Sequence, residues 1–237
     1  MATDRARRRG VPLVTLVAAG LCRLILRLTA RVRVEGLENV PQSGSLIVVA
    51  NHLSNADPPL VVGWLTPALG RQLHILAKEA IFVGPIGWFL RSQGVTPVRA
   101  GGSDLEAYRS ARAVLERGDV LCIFPEGTRS ATGVMGDPKP GVAMLATRSA
   151  VAILPVGISG SDRFLGRGKR VPRFRTLITL RVGQPFTLST DPSVARRAAI
   201  SAASDELMRQ IAALVDERHR GRFGQLKLDM DNAPGVE

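Results

Sequence analysis

Asn51-His52-Leu53-Ser54-Asn55-Ala56-Asp57-Pro58 follows an unbroken apolar run, Leu46-Ile47-Val48-Val49-Ala50. Such a run reads as a strand buried in a core. Proline suits the first turn of a helix, where its missing N–H costs nothing, so Pro58 predicts a helix running to about Leu69 with Asp57 as its N-cap. The stretch is therefore a strand-to-loop-to-helix turn. It places His52 just beyond the carboxyl end of the strand and Asp57 where the chain turns back.

The same pattern recurs along the chain. Further strands are expected at Leu73–Ala77, Asp119–Phe124, Ala152–Ile158 and Leu177–Val182, with a short one within Gly94–Gly102 that ends in a flexible turn. Arg31-Val32-Arg33-Val34-Glu35 alternates as an exposed edge strand does. Ser103 and Glu106 form a capping-box pair that opens a helix to about Gly118. Another helix follows Lys139-Pro140-Gly141, and Thr190-Asp191-Pro192 starts a C-terminal one whose Ile200, Leu207, Ile211 and Leu214 fall at helical spacing. Uniformly apolar strands separated by helices predict an α/β fold with a mostly parallel central sheet flanked by helices. In such sheets ligands bind beyond the carboxyl ends of the strands. Both His52/Asp57 and Glu126/Arg129 follow strand ends, so one shared site is expected.

The N-terminal region differs. Arg5, Arg7, Arg8 and Arg9 precede an apolar stretch from Val11 to Cys22, after which arginines resume at Arg23 and Arg27. A spanning helix needs about 20 apolar residues, and this run is shorter. It predicts an amphipathic membrane-associated helix at the cytoplasmic face, peripheral or monotopic, with Leu16, Leu24 and Leu28 toward lipid and arginines at the headgroups. The alternative is a helix packed on the domain. Three segments result: a basic arm and interfacial helix at 1–30, a main domain at 31–220 and a flexible tail at 221–237. Ile81–Leu90, apolar but broken by Gly84, Pro85 and Gly87, predicts two short elements that line an acyl-chain groove or dip into a bilayer, or else belong to the core.

The net charge of +12 over 237 residues calls for anionic partners: phospholipid headgroups, nucleotide-bearing cofactors, acidic carrier proteins or nucleic acid. Aromatic residues make up only 4%, too few for base-stacking platforms, which argues against nucleic acid. Cys22 and Cys122 lie in apolar runs without metal or redox spacing, and no metal site is expected. His74, among apolar neighbours, reads as structural. Gly157-Ile158-Ser159-Gly160-Ser161 misplaces the last glycine of a nucleophile elbow, and Gly166-Arg167-Gly168-Lys169-Arg170 lacks the spacing of a phosphate-binding P-loop. The basic run from Arg163 to Arg175 reads as an exposed loop that meets anions or membrane.

Two constellations carry chemistry. His52 and Asp57 are five residues apart, which turns a side chain about 140° on a helix but lets a loop fold the carboxylate onto the imidazole. A carboxylate on one ring nitrogen leaves the other free to take a proton. That is two-thirds of a Ser-His-Asp arrangement, and a substrate hydroxyl can stand in for the serine. The alternative is a satisfied loop histidine and a simple cap. In Pro125-Glu126-Gly127-Thr128-Arg129-Ser130, a strand end brings together a carboxylate, a glycine that admits a ligand to the backbone, a hydroxyl and a guanidinium that grips phosphate. Lys139 is a second phosphate contact or a solvated lysine.

Together these stretches resemble the glycerolipid acyltransferase family, typified by the 1-acylglycerol-3-phosphate acyltransferases. The resemblance runs in order through Asn51-His52…Asp57, Pro97-Val98-Arg99, Phe124-Pro125-Glu126-Gly127-Thr128-Arg129-Ser130 and Leu154-Pro155-Val156. It implies that His52 is a general base oriented by Asp57, and that Glu126, Gly127, Thr128 and Arg129 bind the acceptor, with Arg129, Arg99 and Lys139 toward its phosphate. It implies no cofactor beyond acyl-CoA or acyl-ACP as co-substrate, with lysophosphatidate as acceptor and membrane lipids as partners. Many relatives carry the second-block arginine where Ala100 stands, with Arg99 one step earlier; in extended chain one step turns the side chain to the other face. Glycerol 3-phosphate or another lysolipid is therefore an alternative acceptor, and a non-catalytic acyl- or lipid-binding protein an alternative class.

Overall fold

The structure, a computed structural model, describes residues 10–98, 104–189 and 193–224. In chain order its elements are α1 (Leu13–Thr29), β1 (Ala30–Glu35), β2 (Leu46–Ala50), α2 (Asp57–Leu69), β3 (Leu73–Lys78), α3 (Gly84–Ser92) and β4 (Val95–Val98). There follow α4 (Asp104–Glu116), β5 (Val120–Ile123), α5 (Pro140–Ser149), β6 (Ala152–Ser159), α6 (Ser161–Leu165), β7 (Thr176–Val182) and α7 (Arg196–Ala212).

The strands form one sheet in the order β1-β7-β6-β2-β5-β3-β4. Every pairing is parallel except β6 with β7. β1 and β7 thus run against the other five strands. Their starts, Ala30 and Thr176, lie at the end of the sheet where β2, β5 and β6 finish. This is the mostly parallel α/β sheet expected from the sequence, and β1 is its edge.

Side chains alternate across a strand, so a strand covered on both faces must be apolar throughout. β2 shows this directly. Leu46, Val48 and Ala50 join Leu60, Val61, Trp64 and Leu65 of α2 in one core layer. Ile47 and Val49 join Val114, Leu145, Leu207 and Ile211 of α4, α5 and α7 in the other. Fully burying each such side chain stabilises the fold by about 1.5–3 kcal/mol.

Several expectations need correction. The helix after the His52 loop begins at Asp57, with Ala56 in the capping position and no side-chain cap. The Asp57 carboxylate turns back to the loop instead. α7 begins at Arg196, and Leu214 lies past its end, where it packs against Gly157 so closely that a Cβ there would meet the Leu214 Cβ at 2.5 Å. The flexible tail does not start at 221. Glu217–His219 and Gly221–Gly224 are 3₁₀ turns, and His219 and Phe223 are buried. Hydrogen bonds and core contacts distant in sequence hold this segment, and no local pattern announces them.

α1 packs on the domain by one face, burying Thr15, Ala18, Ala19 and Leu26. Arg23 Nε donates to the Gly63 carbonyl at 3.1 Å, and the guanidiniums of Arg23 and Arg27 lie over the Trp64 ring at 5.5 and 5.8 Å. These two arginines face the protein. The opposite face exposes Leu13, Val14, Leu16, Val17, Leu21, Leu24, Ile25 and Leu28. Among the described residues no helix is long and apolar enough to cross a membrane. The apolar stretch after β3 forms the 3₁₀ turn Glu79–Ile81 and then α3, and it exposes Ile81, Val83, Trp88 and Phe89 rather than joining the core. Arg99, Ala100, Ser103 and Thr190–Pro192 lie outside the described residues.

Candidate active site

The loop after β2 is fixed from both sides. The Asn51 side chain, fully buried, bridges to β6: its Nδ2 donates to the Ile158 carbonyl at 2.9 Å and its Oδ1 accepts the Ile158 N–H at 2.7 Å. The Asp57 carboxylate closes the loop beneath His52. Its Oδ2 lies 2.9 Å from His52 Nδ1 and accepts the backbone N–H groups of Leu53 and Ser54, each at 2.7 Å. Backbone donors compensate the burial of Oδ2 and fix the carboxylate's orientation, while Oδ1 is buried without a hydrogen-bond partner among the described residues. An ionised carboxylate only accepts, so Nδ1 carries the ring proton and Nε2 presents its lone pair. Nε2 has no partner among the described residues, and the His52 side chain keeps 16% of its surface exposed. The ring stacks on Phe124 with centroids 4.2 Å apart. An open nitrogen on an oriented, mostly covered imidazole is poised to accept a proton.

β5 supplies the second half. Glu126 is buried and both of its oxygens are occupied. Oε1 accepts the His52 N–H and Oε2 the Gly136 N–H, each at 2.9 Å. Burial pushes this carboxyl up from its ordinary range, opposed by those two backbone donors. The resemblance assigned Glu126 to the acceptor; here its carboxylate ties the His52 loop to the loop after β5. A further tie runs from the Ser130 N–H to the His52 carbonyl at 2.8 Å. Gly127 sits at φ 66°, a left-handed conformation that favours glycine, and a Cβ there would lie 2.7 Å from Lys139 Cε. Lys139 thus covers Gly127 with its methylene chain, while its own N–H bonds the Pro125 carbonyl at 2.8 Å.

Beside this junction lies a cavity of about 340 Å³ lined by Glu126, Thr128, Arg129, Met135, Asp137 and Arg167 among others. The structure thus joins His52, Asp57 and Glu126 by hydrogen bonds and sets Thr128 and Arg129 in the lining of the adjoining cavity, while Gly127 and Lys139, packed together, do not line it. Arg99 lies outside the described residues. Among those residues no group of His, Cys, Asp and Glu could hold a metal ion. Cys122 is buried, and burial pushes its thiol up to about 12, so it stays protonated and inert. Sequence reasoning quoted Asn51 and Phe124 without a role of their own, read Arg167 only as part of a basic run and missed Gly136, since their roles depend on which strands and loops become neighbours.

The sequence-family comparison matches residues 31–159, more than half of the chain, to the family described as Acyltransferase. Among relatives, "1-acyl-sn-glycerol-3-phosphate acyltransferase LPAT1, chloroplastic" of Arabidopsis thaliana is 32% identical over 142 residues, covering 58% of this chain and 38% of the relative. The human "1-acyl-sn-glycerol-3-phosphate acyltransferase alpha" is 29% identical over 143 residues, covering 59% and 50%. The 1-acyl-sn-glycerol-3-phosphate acyltransferase of Bacillus subtilis is 25% identical over 206 residues, covering 84% and 97%. The chain thus spans half or less of the length of the plant and human relatives. The crystal structure of the 1-acyl-sn-glycerophosphate acyltransferase PlsC from Thermotoga maritima superposes with a TM-score of 0.67 at 25% identity, covering 90% of this chain and 84% of that one. The matched region contains the whole His52–Asp57 and Glu126–Arg129 junction, and by that match this chain belongs to the acyltransferase family.

Proposed function

We propose that the protein transfers a fatty acyl group from a thioester donor, acyl-CoA or acyl-ACP, to the sn-2 hydroxyl of lysophosphatidate, giving phosphatidate for phospholipid synthesis. The observation that carries this reading is an oriented His52 with a free Nε2, set beside a cavity whose Arg129 has no acidic partner among the described residues. Lipid binding alone needs neither the imidazole nor its buried carboxylate.

In this reading Arg129 grips the acceptor's phosphate and sets its hydroxyl against His52 Nε2. The imidazole takes the hydroxyl proton as the oxygen attacks the thioester carbonyl. Asp57 stabilises the imidazolium that forms. The tetrahedral intermediate then expels the thiolate, which takes the proton back from His52 and leaves as free thiol. The acceptor becomes an ester, and no acyl-enzyme forms. The apolar face of α1 holds the protein at the cytoplasmic face of the membrane, where the lysophosphatidate acceptor resides.

The test is purified protein in detergent micelles with long-chain acyl-CoA and lysophosphatidate, following thiol release and lipid product together. Equal amounts of thiol and phosphatidate are expected. Product with glycerol 3-phosphate but not lysophosphatidate would replace the acceptor, and no product with acyl-CoA or acyl-ACP and any acceptor would overturn the reading.

A further inference from the structure

We infer that Arg167 supplies the second cation of a phosphate clamp opposite Arg129, so that the acceptor cavity selects a phosphomonoester over a phosphodiester. The inference rests on the proposed function and concerns which acceptors that site takes.

Arg167 lines the same cavity as Arg129, although 38 residues separate them in sequence. The charge balance inside the cavity is uneven. Its two carboxylates are already engaged: Glu126 by the N–H groups of His52 and Gly136, and Asp137 by Arg222 Nε at 2.8 Å. Neither Arg129 nor Arg167 has a hydrogen bond or ion pair among the described residues. Arg129 and Arg167, without an acidic partner among the described residues, thus line one space in which an incoming anion would neutralise both.

The loop that bears Arg167 is also built into the site. Gly166 forms an antiparallel bridge with Ser54, two residues from His52. The Ser54 hydroxyl donates to the Leu165 carbonyl at 2.7 Å. A Cβ at Gly166 would lie 2.4 Å from the Asp162 carbonyl oxygen, so only glycine fits this approach. Bonds from Lys169 N–H to the Gly166 carbonyl at 3.1 Å and from Arg173 N–H to the Phe164 carbonyl at 2.8 Å close the loop. Arg167 therefore follows directly on a residue pinned to the His52 loop. The other cations of the Arg163–Arg175 run do not line the cavity. A phosphomonoester, with its second pKa near 6, is close to a dianion at neutral pH, whereas a phosphodiester carries one charge. Two unpaired guanidiniums match the first.

The test uses hexanoyl lysophosphatidate below its micelle concentration, so that no bilayer is present, with wild type, Arg167→Ala and Arg167→Lys. Arg167→Ala is expected to raise the acceptor KM about tenfold, the cost of one charge-assisted contact, with kcat and donor KM little changed. Arg167→Lys should fall between. The preference for lysophosphatidate over the matching lysophosphatidylglycerol should shrink by about the same factor in Arg167→Ala. An unchanged acceptor KM, or equal losses for monoester and diester, would overturn the inference. So would weaker binding to anionic vesicles with soluble-acceptor kinetics intact, which would assign Arg167 to lipid headgroups. Absence of transfer by the wild type would be seen first, and would remove the proposed function together with this inference.

Discussion

Asp57 concentrates three hydrogen bonds on one oxygen, Oδ2, from the imidazole and from two successive backbone N–H groups. The two backbone bonds make the loop around His52 its own scaffold, since they come from the two residues that follow it. This explains why the His52–Asp57 pair is legible from a five-residue spacing: every group involved lies within the loop itself. Glu126 is legible only as a polar residue at a strand end. Its partner His52 comes from a loop that only the adjacency of β2 and β5 brings near, and its partner Gly136 lies ten residues on in its own loop. Arg167 was legible as part of a basic run, and its place in the cavity that Arg129 also lines depends on the Ser54–Gly166 bridge. A residue's chemistry can thus be read from its type, but its partner only from the topology.

At the scale of elements, the loop after β5 is held from beneath by the C-terminal segment. The Met135 N–H bonds the His219 carbonyl at 2.8 Å, and the buried His219 ring bonds the Gly133 carbonyl through Nδ1. Asp162, on α6, grips Arg218 through both carboxylate oxygens at 3.0 and 3.2 Å and lies 3.7 Å from His219 Nε2. Burial raises the Asp162 pKa, but the Arg218 hydrogen bonds and the neighbouring cations outweigh it and hold the carboxyl below its ordinary range. A depressed folded pKa adds stability that is full above the unfolded value, about 3.9, and disappears as pH falls through the folded value. Asp162→Asn should therefore destabilise the protein at neutral pH, with the gap to wild type closing in acid. Urea unfolding from pH 7 to pH 2 measures this, and a gap independent of pH would contradict it. The sequence suggested a tail here because 3₁₀ turns rich in Gly and Arg carry no periodicity. What orders them is this ion pair and the burial of Phe223, both non-local.

At the scale of the molecule, the reversal of β1 and β7 gathers apolar surface at the end of the sheet that bears His52. Leu28 precedes β1, Val171 and Phe174 precede β7, and Ile81 and Val83 follow β3; all are exposed. Arg173 and Arg175 lie among them in sequence. Such a surface would set the catalytic end against an anionic bilayer. Leu24→Ser together with Leu28→Ser, at exposed positions, should leave the fold intact and lower the partition coefficient onto anionic vesicles by about 10²-fold or more, since each side chain is worth about 1.5–3 kcal/mol when fully buried. Undiminished binding would assign the exposed face of α1 to another use. That this segment leaves Leu16, Leu24 and Leu28 exposed was legible in the sequence, whereas Arg23 and Arg27, expected at the headgroups, pack on the domain. Which face meets the domain was not legible, because that depends on Trp64 taking Arg23 and Arg27. The central claim remains that His52 removes the acceptor's proton, and the turnover of purified His52→Ala, beside wild type at matched folding stability, tests it most directly. A loss of about 10²–10⁴ in kcat, with folding and lipid binding retained, is the predicted result; near-normal turnover would contradict the account.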